Sequence, residues 1–206
     1  SNGQLFELIE MDLENKIKIL FGKNLFDLAI NLARKYSDAV VLNQIICKFG
    51  DFLYSKGDTE QAMTQYIQTI GTIEPSYIIK KYLDAQNIHC ITTYLESLHK
   101  TLRANSDHTT LLLNCYIRLK DTKKLDEFLR EDNEWKFDVE TALRVCHQAG
   151  FIEQALYLAR KSNHHSWYLK IQLEDVKDYG SALEYLKNLK IIEVAIIITI
   201  SRRNLF

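Results

Sequence analysis

One short phrase occurs twice in the chain: Gly57-Asp58-Thr59-Glu60-Gln61-Ala62 returns as Gly150-Phe151-Ile152-Glu153-Gln154-Ala155, each time between two apolar runs. Glycine enters the left-handed region without penalty and so stops a helix, and a small residue five positions on lets the next helix lie close. Together they describe the corner of a helical hairpin. A lone hairpin leaves one apolar face uncovered, so a chain that reuses this corner is expected to stack hairpins on one another.

The stretches between corners support this reading through three- and four-residue apolar spacing. Leu5, Ile9, Leu13, Ile17, Leu20 and Phe21 form the first face; a break at Gly22-Lys23-Asn24 precedes a second run with Ala29 and Ala33 one turn apart. Ser37 or Asp38 is expected to cap a helix running through Ile45, Ile46 and Phe49 to Gly57; Asp58 caps the next, which ends at Gly71. The single proline, Pro75, falls at the first turn of a helix, where its missing N–H costs nothing. Further corners fall at Asp84-Ala85-Gln86-Asn87, at Lys120-Asp121-Thr122 and at Gly150, with Asp107 and Asp138 as expected caps. Gly57, Gly71 and Gly150 are the predicted helix corners.

Aligning the second helix of each hairpin on its small or aliphatic contact residue gives Ala29, Ala62, Ile91, Leu125, Ala155 and Ala182, separated by 33, 29, 34, 30 and 27 residues. A larger apolar residue follows three or four positions later in each: Leu32, Tyr66, Tyr94 or Leu95, Phe128 or Leu129, Leu158, and Tyr185 or Leu186. Six two-helix units of about 30 residues are the signature of an α-solenoid. The expected fold is therefore all-α, stacked hairpins over residues 1–190, followed by an apolar segment at 191–206. Ile191–Ile200 is too short to span a bilayer, and despite its β-branched content it reads as a last helix or truncated repeat.

Charge and motif content narrow the function. Lys and Arg total 26 against 27 Asp and Glu, which is not the basic excess that nucleic acid or an anionic membrane attracts. No stretch resembles a signal peptide or reaches membrane-spanning length. Cys47, Cys90, Cys115 and Cys146 are widely spaced, with no Cys-x-x-Cys, and read as reduced core residues. His164-His165, and His89-Cys90 with Cys146-His147, lack a second ligand pair on a shared helix face, so no metal or other cofactor is expected. No nucleophile elbow, phosphate-binding glycine loop or His-Glu-x-x-His occurs, which argues against an enzyme. Tyr66, Tyr82, Tyr94 and Tyr116 fall on the core face, leaving Trp135, between helices, as the candidate surface anchor.

Between the corners lie longer strings: Glu74-Pro75-Ser76-Tyr77, Leu83-Asp84-Ala85-Gln86, Asp107-His108-Thr109-Thr110-Leu111-Leu112-Leu113-Asn114-Cys115-Tyr116, Phe137-Asp138-Val139-Glu140-Thr141-Ala142, and His164-His165-Ser166-Trp167-Tyr168-Leu169-Lys170-Ile171-Gln172-Leu173-Glu174-Asp175. Across residues 53–186 they resemble the vacuolar protein sorting-associated protein 11 family, whose members are class C subunits shared by the HOPS and CORVET tethers. The resemblance implies a clathrin heavy chain repeat and a scaffold role in endosomal and lysosomal or vacuolar trafficking. It further implies other class C subunits as partners, with SNAREs and Rab GTPases reached through the complex. The implied location is cytoplasmic, peripheral on late endosome and lysosome or vacuole membranes. The family's β-propeller and RING-type zinc domain have no counterpart here, and the Ile191–Phe206 tail reads unlike the family. A peptide-binding adaptor similar to tetratricopeptide arrays is the alternative, disfavoured because those arrays keep a 34-residue period.

Overall fold

The computed structural model describes residues 10–36, 39–130 and 138–189. They form α1 (Leu13–Gly22), α2 (Phe26–Tyr36), α3 (Ala39–Ser55), α4 (Thr59–Gln68), α5 (Pro75–Tyr82), a 3-10 turn (Ala85–Asn87), α6 (Ile88–Lys100), α7 (Ser106–Leu119), α8 (Thr122–Arg130), α9 (Val139–Gln148), α10 (Ile152–Lys161), α11 (His165–Ile171) continued by a π turn (Gln172–Val176), and α12 (Tyr179–Asn188). No strand forms among the described residues, so the chain is all-α, built as the spacing predicts from consecutive helical hairpins. It divides into two compact units, Ser1–Arg103 and Ala104–Phe206. The expected caps at Ser37 or Asp38, the anchor Trp135 and the 191–206 segment lie outside the described residues.

In the first unit α1 packs on α2, α2 on α3, α3 on α4, and α6 on both α4 and α5. Ile17, Ala29, Ile30, Ala33, Ile45 and Ile46 form one buried cluster, flanked by Leu13, Leu20, Phe21, Leu32, Leu42 and Phe49. Phe26 joins α2 to its neighbours, its ring 5.2 Å from Phe21, 5.0 Å from Phe49 and 4.7 Å from Phe52. In the second unit α7 packs on α8 and α9, and α10 on α8, α9 and α11. Its core includes Leu112, Leu113, Tyr116, Leu125, Leu129, Leu143, Leu158 and Ile171. Burying each large aliphatic side chain contributes about 1.5–3 kcal/mol, which is what holds hairpin on hairpin.

Six corners share one backbone design. A left-handed residue sits at Asn24, Gly57, Leu102, Lys120, Gly150 and Asn163. In each case the next residue's N–H bonds the carbonyl five positions back: Leu25 to Leu20, Asp58 to Leu53, Arg103 to Leu98, Asp121 to Tyr116, Phe151 to Cys146 and His164 to Ala159, all at 2.9–3.1 Å. This is the Schellman closure, which satisfies the last helix carbonyls. Glycine marks only two of the six. Gly71, with φ 94, lies in a different turn, three residues beyond the end of α4, where Thr72 and Ile73 donate to the Thr69 carbonyl.

Asp58 and Asp138 cap α4 and α9 as expected, accepting from the backbone of Gln61 and Glu140. The expected cap at Asp107 is corrected: α7 begins at Ser106 and its cap is Asn105. Asn105 Oδ1 accepts from His108 N–H at 2.8 Å, and Asn105 N–H donates to His108 Nδ1 at 3.2 Å. A histidine thus fills the capping-box place usually held by Glu or Gln, leaving Asp107 in the first turn, where its charge complements the helix dipole.

Candidate interaction surfaces

The aligned positions Ala29, Ala62, Ile91, Leu125, Ala155 and Ala182 are all 3% exposed or less, each on the second helix of its hairpin. Tyr66, Tyr82 and Tyr94 have no exposed surface, and Tyr116 is buried. Cys47, Cys115 and Cys146 are buried and Cys90 half-buried, all four as free thiols. Burial pushes the Cys146 thiol up to about 11, so it is held protonated at neutral pH.

The densest polar arrangement ties α3, α4 and α5 at one point. Asp51 on α3 accepts from Tyr66 of α4 at 2.7 Å, from Tyr77 of α5 at 3.0 and 2.9 Å, and from the Lys81 ammonium. That ammonium lies 4.4 Å from the Tyr77 ring centroid, 5.5 Å from Tyr66 and 5.7 Å from Tyr54, so three electron-rich faces surround it. Two further hydroxyls complete the tie: Tyr54 donates to the Lys81 carbonyl and Tyr82 to the Thr59 carbonyl, both at 2.8 Å. Burial alone would lower the Lys81 pKa, but hydrogen bonds to Asp51 and Tyr77 outweigh it and the pKa is raised. Burial, reinforced by the Asp51 carboxylate, holds the Tyr66 hydroxyl far above its ordinary range.

Gly50 makes this arrangement possible. It is buried mid-α3, and a Cβ there would stand 2.8 Å from Cε1 of Tyr66. The Tyr66 ring lies against bare backbone, which brings its hydroxyl to Asp51, the next residue. Sequence spacing identified Tyr66 as core but gave no reason to single out Gly50 or Asp51; the available sign was a glycine inside an otherwise uninterrupted helical run.

In the second unit the histidines singled out from the sequence serve local contacts. His164 precedes α11, its Nδ1 2.9 Å from Ser162 Oγ, and His165 Nδ1 lies 2.8 Å from the Tyr185 hydroxyl. His147 Nε2 pairs with Asp175 Oδ2 at 2.8 Å across to the π turn, and its ring meets Trp167 edge-on at 5.8 Å. Gln154, from the second copy of the repeated phrase, is buried and donates to Asp126 on α8 at 2.9 Å. That Gln therefore holds α10 to α8, which the repeat pattern did not reveal. His89 and Cys90 belong to the first unit, Cys146 and His147 to the second. No group of three or more His, Cys, Asp or Glu that could hold a metal occurs among the described residues.

Exposed apolar side chains also occur at the end of the second unit. Leu173, Val176, Tyr179 and Leu183 are each more than 40% exposed, on the π turn and α12. No described helix is long and apolar enough to cross a membrane.

Comparison with known proteins agrees with the hairpin architecture. The PEP5/VPS11 Clathrin repeat family matches residues 54–202. The chain is 54% identical over 191 residues to a Homo sapiens protein named vacuolar protein sorting-associated protein 11 homolog, covering 91% of this chain and 20% of that protein. Homologs of the same name from Arabidopsis thaliana and Dictyostelium discoideum are 50% and 49% identical, each over 92% of this chain and 21% and 20% of their own lengths. The chain thus spans about a fifth of the length of the curated relatives it matches. The family match continues to residue 202, which corrects the expectation that the tail from Ile191 departs from the family.

Proposed function

Because the chain belongs to the PEP5/VPS11 clathrin repeat family, we propose that it is a non-catalytic scaffold segment of a multisubunit membrane tether of the HOPS and CORVET kind, serving vacuolar or lysosomal protein sorting. The observation that carries this reading is identity of about half over nine-tenths of the chain to proteins named for vacuolar protein sorting. The structure is consistent with it in chemical terms. The polar groups that cluster most densely, Asp51 with Lys81 and the tyrosines, bond one another across helices. They hold elements in place.

In this reading Ala29, Ala62, Ile91, Leu125, Ala155 and Ala182 set the approach of successive helices, and Gly57, Gly71 and Gly150 turn the chain. The partners are other class C tether subunits, with SNAREs and Rab GTPases reached through the assembly. Attachment to late endosomal and lysosomal or vacuolar membranes is peripheral. Trp135 is retained as a proposed contact residue. The test is co-purification of the class C subunits with a full-length family protein carrying this segment, compared with the same protein bearing Asp51→Ala and Gly50→Ala within it. Recovery of the subunits with the parent and their loss with the variant is the expected result; recovery that does not depend on the segment would sink the scaffold assignment.

A further inference from the structure

In the first unit, lysines laid over aromatic rings join the opening helices of successive hairpins. Lys81 of α5 lies 5.7 Å from the Tyr54 ring centroid on α3, and Lys48 of α3 lies 5.5 Å from that of Phe21 on α1. Just past the end of α3, Lys56 lies 5.6 Å from the Phe52 ring centroid. Lys48 and Lys56 are exposed, and Phe52 between them is half-buried. Successive steps of four residues put the three on one row, about 12 Å from end to end.

Asp51 is the only carboxylate of α3, and it is already held by Tyr66, Tyr77 and Lys81. Lys16 and Lys18 of α1 have partners in Glu10 and Glu14, but among the described residues neither Lys48 nor Lys56 enters an ion pair. An ammonium resting on a ring has given up part of its rotamer freedom, which lowers the cost of fixing it on a carboxylate brought by another molecule. The half-buried rings of Phe21 and Phe52 add apolar surface to the same row.

We propose that the Lys48–Phe52–Lys56 row, with Phe21 beside it, docks an acidic helical segment of a partner protein, two carboxylates pairing with the lysines and an aliphatic side chain between them covering Phe52. The length of the row matches two turns of such a helix, which bring residues seven or eight apart onto one face. An anionic membrane is the weaker candidate, because docking there takes clusters of about four to eight cations and this row has two. The inference rests on the scaffold reading and gives it a partner chemistry.

The test titrates the 206-residue chain with a synthetic helical peptide that carries glutamates eight residues apart and a leucine midway between them. Binding is read from amide chemical shifts, so that position and affinity come from one titration. Because it uses purified components, its failure leaves the tether assignment to be judged separately by co-purification. The expected result is shifts centred on residues 48–56 and a Kd that weakens about tenfold in the Lys48→Glu, Lys56→Glu double variant. The same charge change at exposed positions of the second unit, Lys123→Glu with Lys187→Glu, is expected to leave the Kd within about twofold, since screening removes distant charges. All four lysines are exposed, so the variants are expected to fold, which an unchanged melting curve checks. No shifts at residues 48–56, equal losses in the two double variants, undiminished binding of a peptide with glutamine in place of glutamate, or binding to phosphatidylserine vesicles in preference to the peptide would each overturn the proposal.

Discussion

The Gly50–Asp51 pair makes one position intolerant of the smallest side-chain addition. Alanine is the better helix former by about 1 kcal/mol, yet at Gly50 its methyl would collide with the Tyr66 ring. Gly50→Ala is therefore expected to destabilise the first unit by about 1–3 kcal/mol, as overpacking does, measured by urea denaturation. The tie beyond it is expected to behave as a unit. Asp51→Asn and Tyr66→Phe should each cost about 1.5–3 kcal/mol, the first by stripping the charge from the acceptor and the second by removing the hydroxyl that donates to it, and a double-mutant cycle should give a combined loss clearly smaller than the sum. Equal additivity would mean that the Tyr66–Asp51 contact carries no coupling. Tyr66, Tyr82, Tyr94 and Tyr116 could be placed in the core from three- and four-residue spacing. What Tyr66 packs against could not, because Gly50 and Tyr66 face each other across two helices and no periodicity within either one encodes that meeting.

For single helices, the corners separate what sequence can reveal from what it cannot. Gly57 and Gly150 are visible because glycine at a helix end has a known conformational use, and Asn24 and Asn163 fit the one other residue type that enters this region readily. The Lys120-Asp121-Thr122 break locates a corner, but neither Leu102 nor Lys120 is of a residue type that marks the left-handed position. Their backbones are held left-handed, at φ 56 and 55, by the same Schellman bonds that close the glycine corners. Relief of that strain, less the entropy glycine adds to the unfolded chain, leads to an expected gain of about 0.5–1 kcal/mol for Lys120→Gly, read as a raised urea midpoint. The packing positions are opposite in sign. Ala155 has no exposed surface on α10, so Ala155→Arg forces a long charged side chain into a closed contact. A loss of about 4 kcal/mol and collapse of the cooperative melt are expected; an unchanged melting curve would show that the aligned positions are wrongly assigned.

Taken as a whole, the molecule has stability limits of opposite origin at its two pH extremes. Asp138 and Asp178 have pKa values below the ordinary carboxylate range, lowered first by the hydroxyls of Thr141 and Ser181. Their contributions are present above about pH 4 and vanish as pH falls through the folded values. Lys81, Tyr66, Tyr82 and Tyr94 are all shifted upward, the tyrosines chiefly by burial. Their contributions are complete below about pH 10 and are lost as pH rises beyond. Urea midpoints measured against pH should therefore show a plateau between, with Asp178→Asn flattening the acid limb and leaving the alkaline limb alone. The hairpin plan was legible because it repeats. The division into two units was not, because the repeat spacing runs through residues 103 and 104 without interruption.

The buried tyrosines have an optical consequence. Tyr66, Tyr82 and Tyr94 all belong to Ser1–Arg103, whereas both tryptophans, Trp135 and Trp167, belong to Ala104–Phe206. Indole emission thus records only the second unit, whereas late phenolate absorbance in an alkaline titration records the opening of buried sites in both, since Tyr116 and Tyr168 are buried in the second. Only the second half carries indole, so a phenolate transition that leads or trails the indole one reveals, in one cuvette and without a label, that the two halves do not melt together.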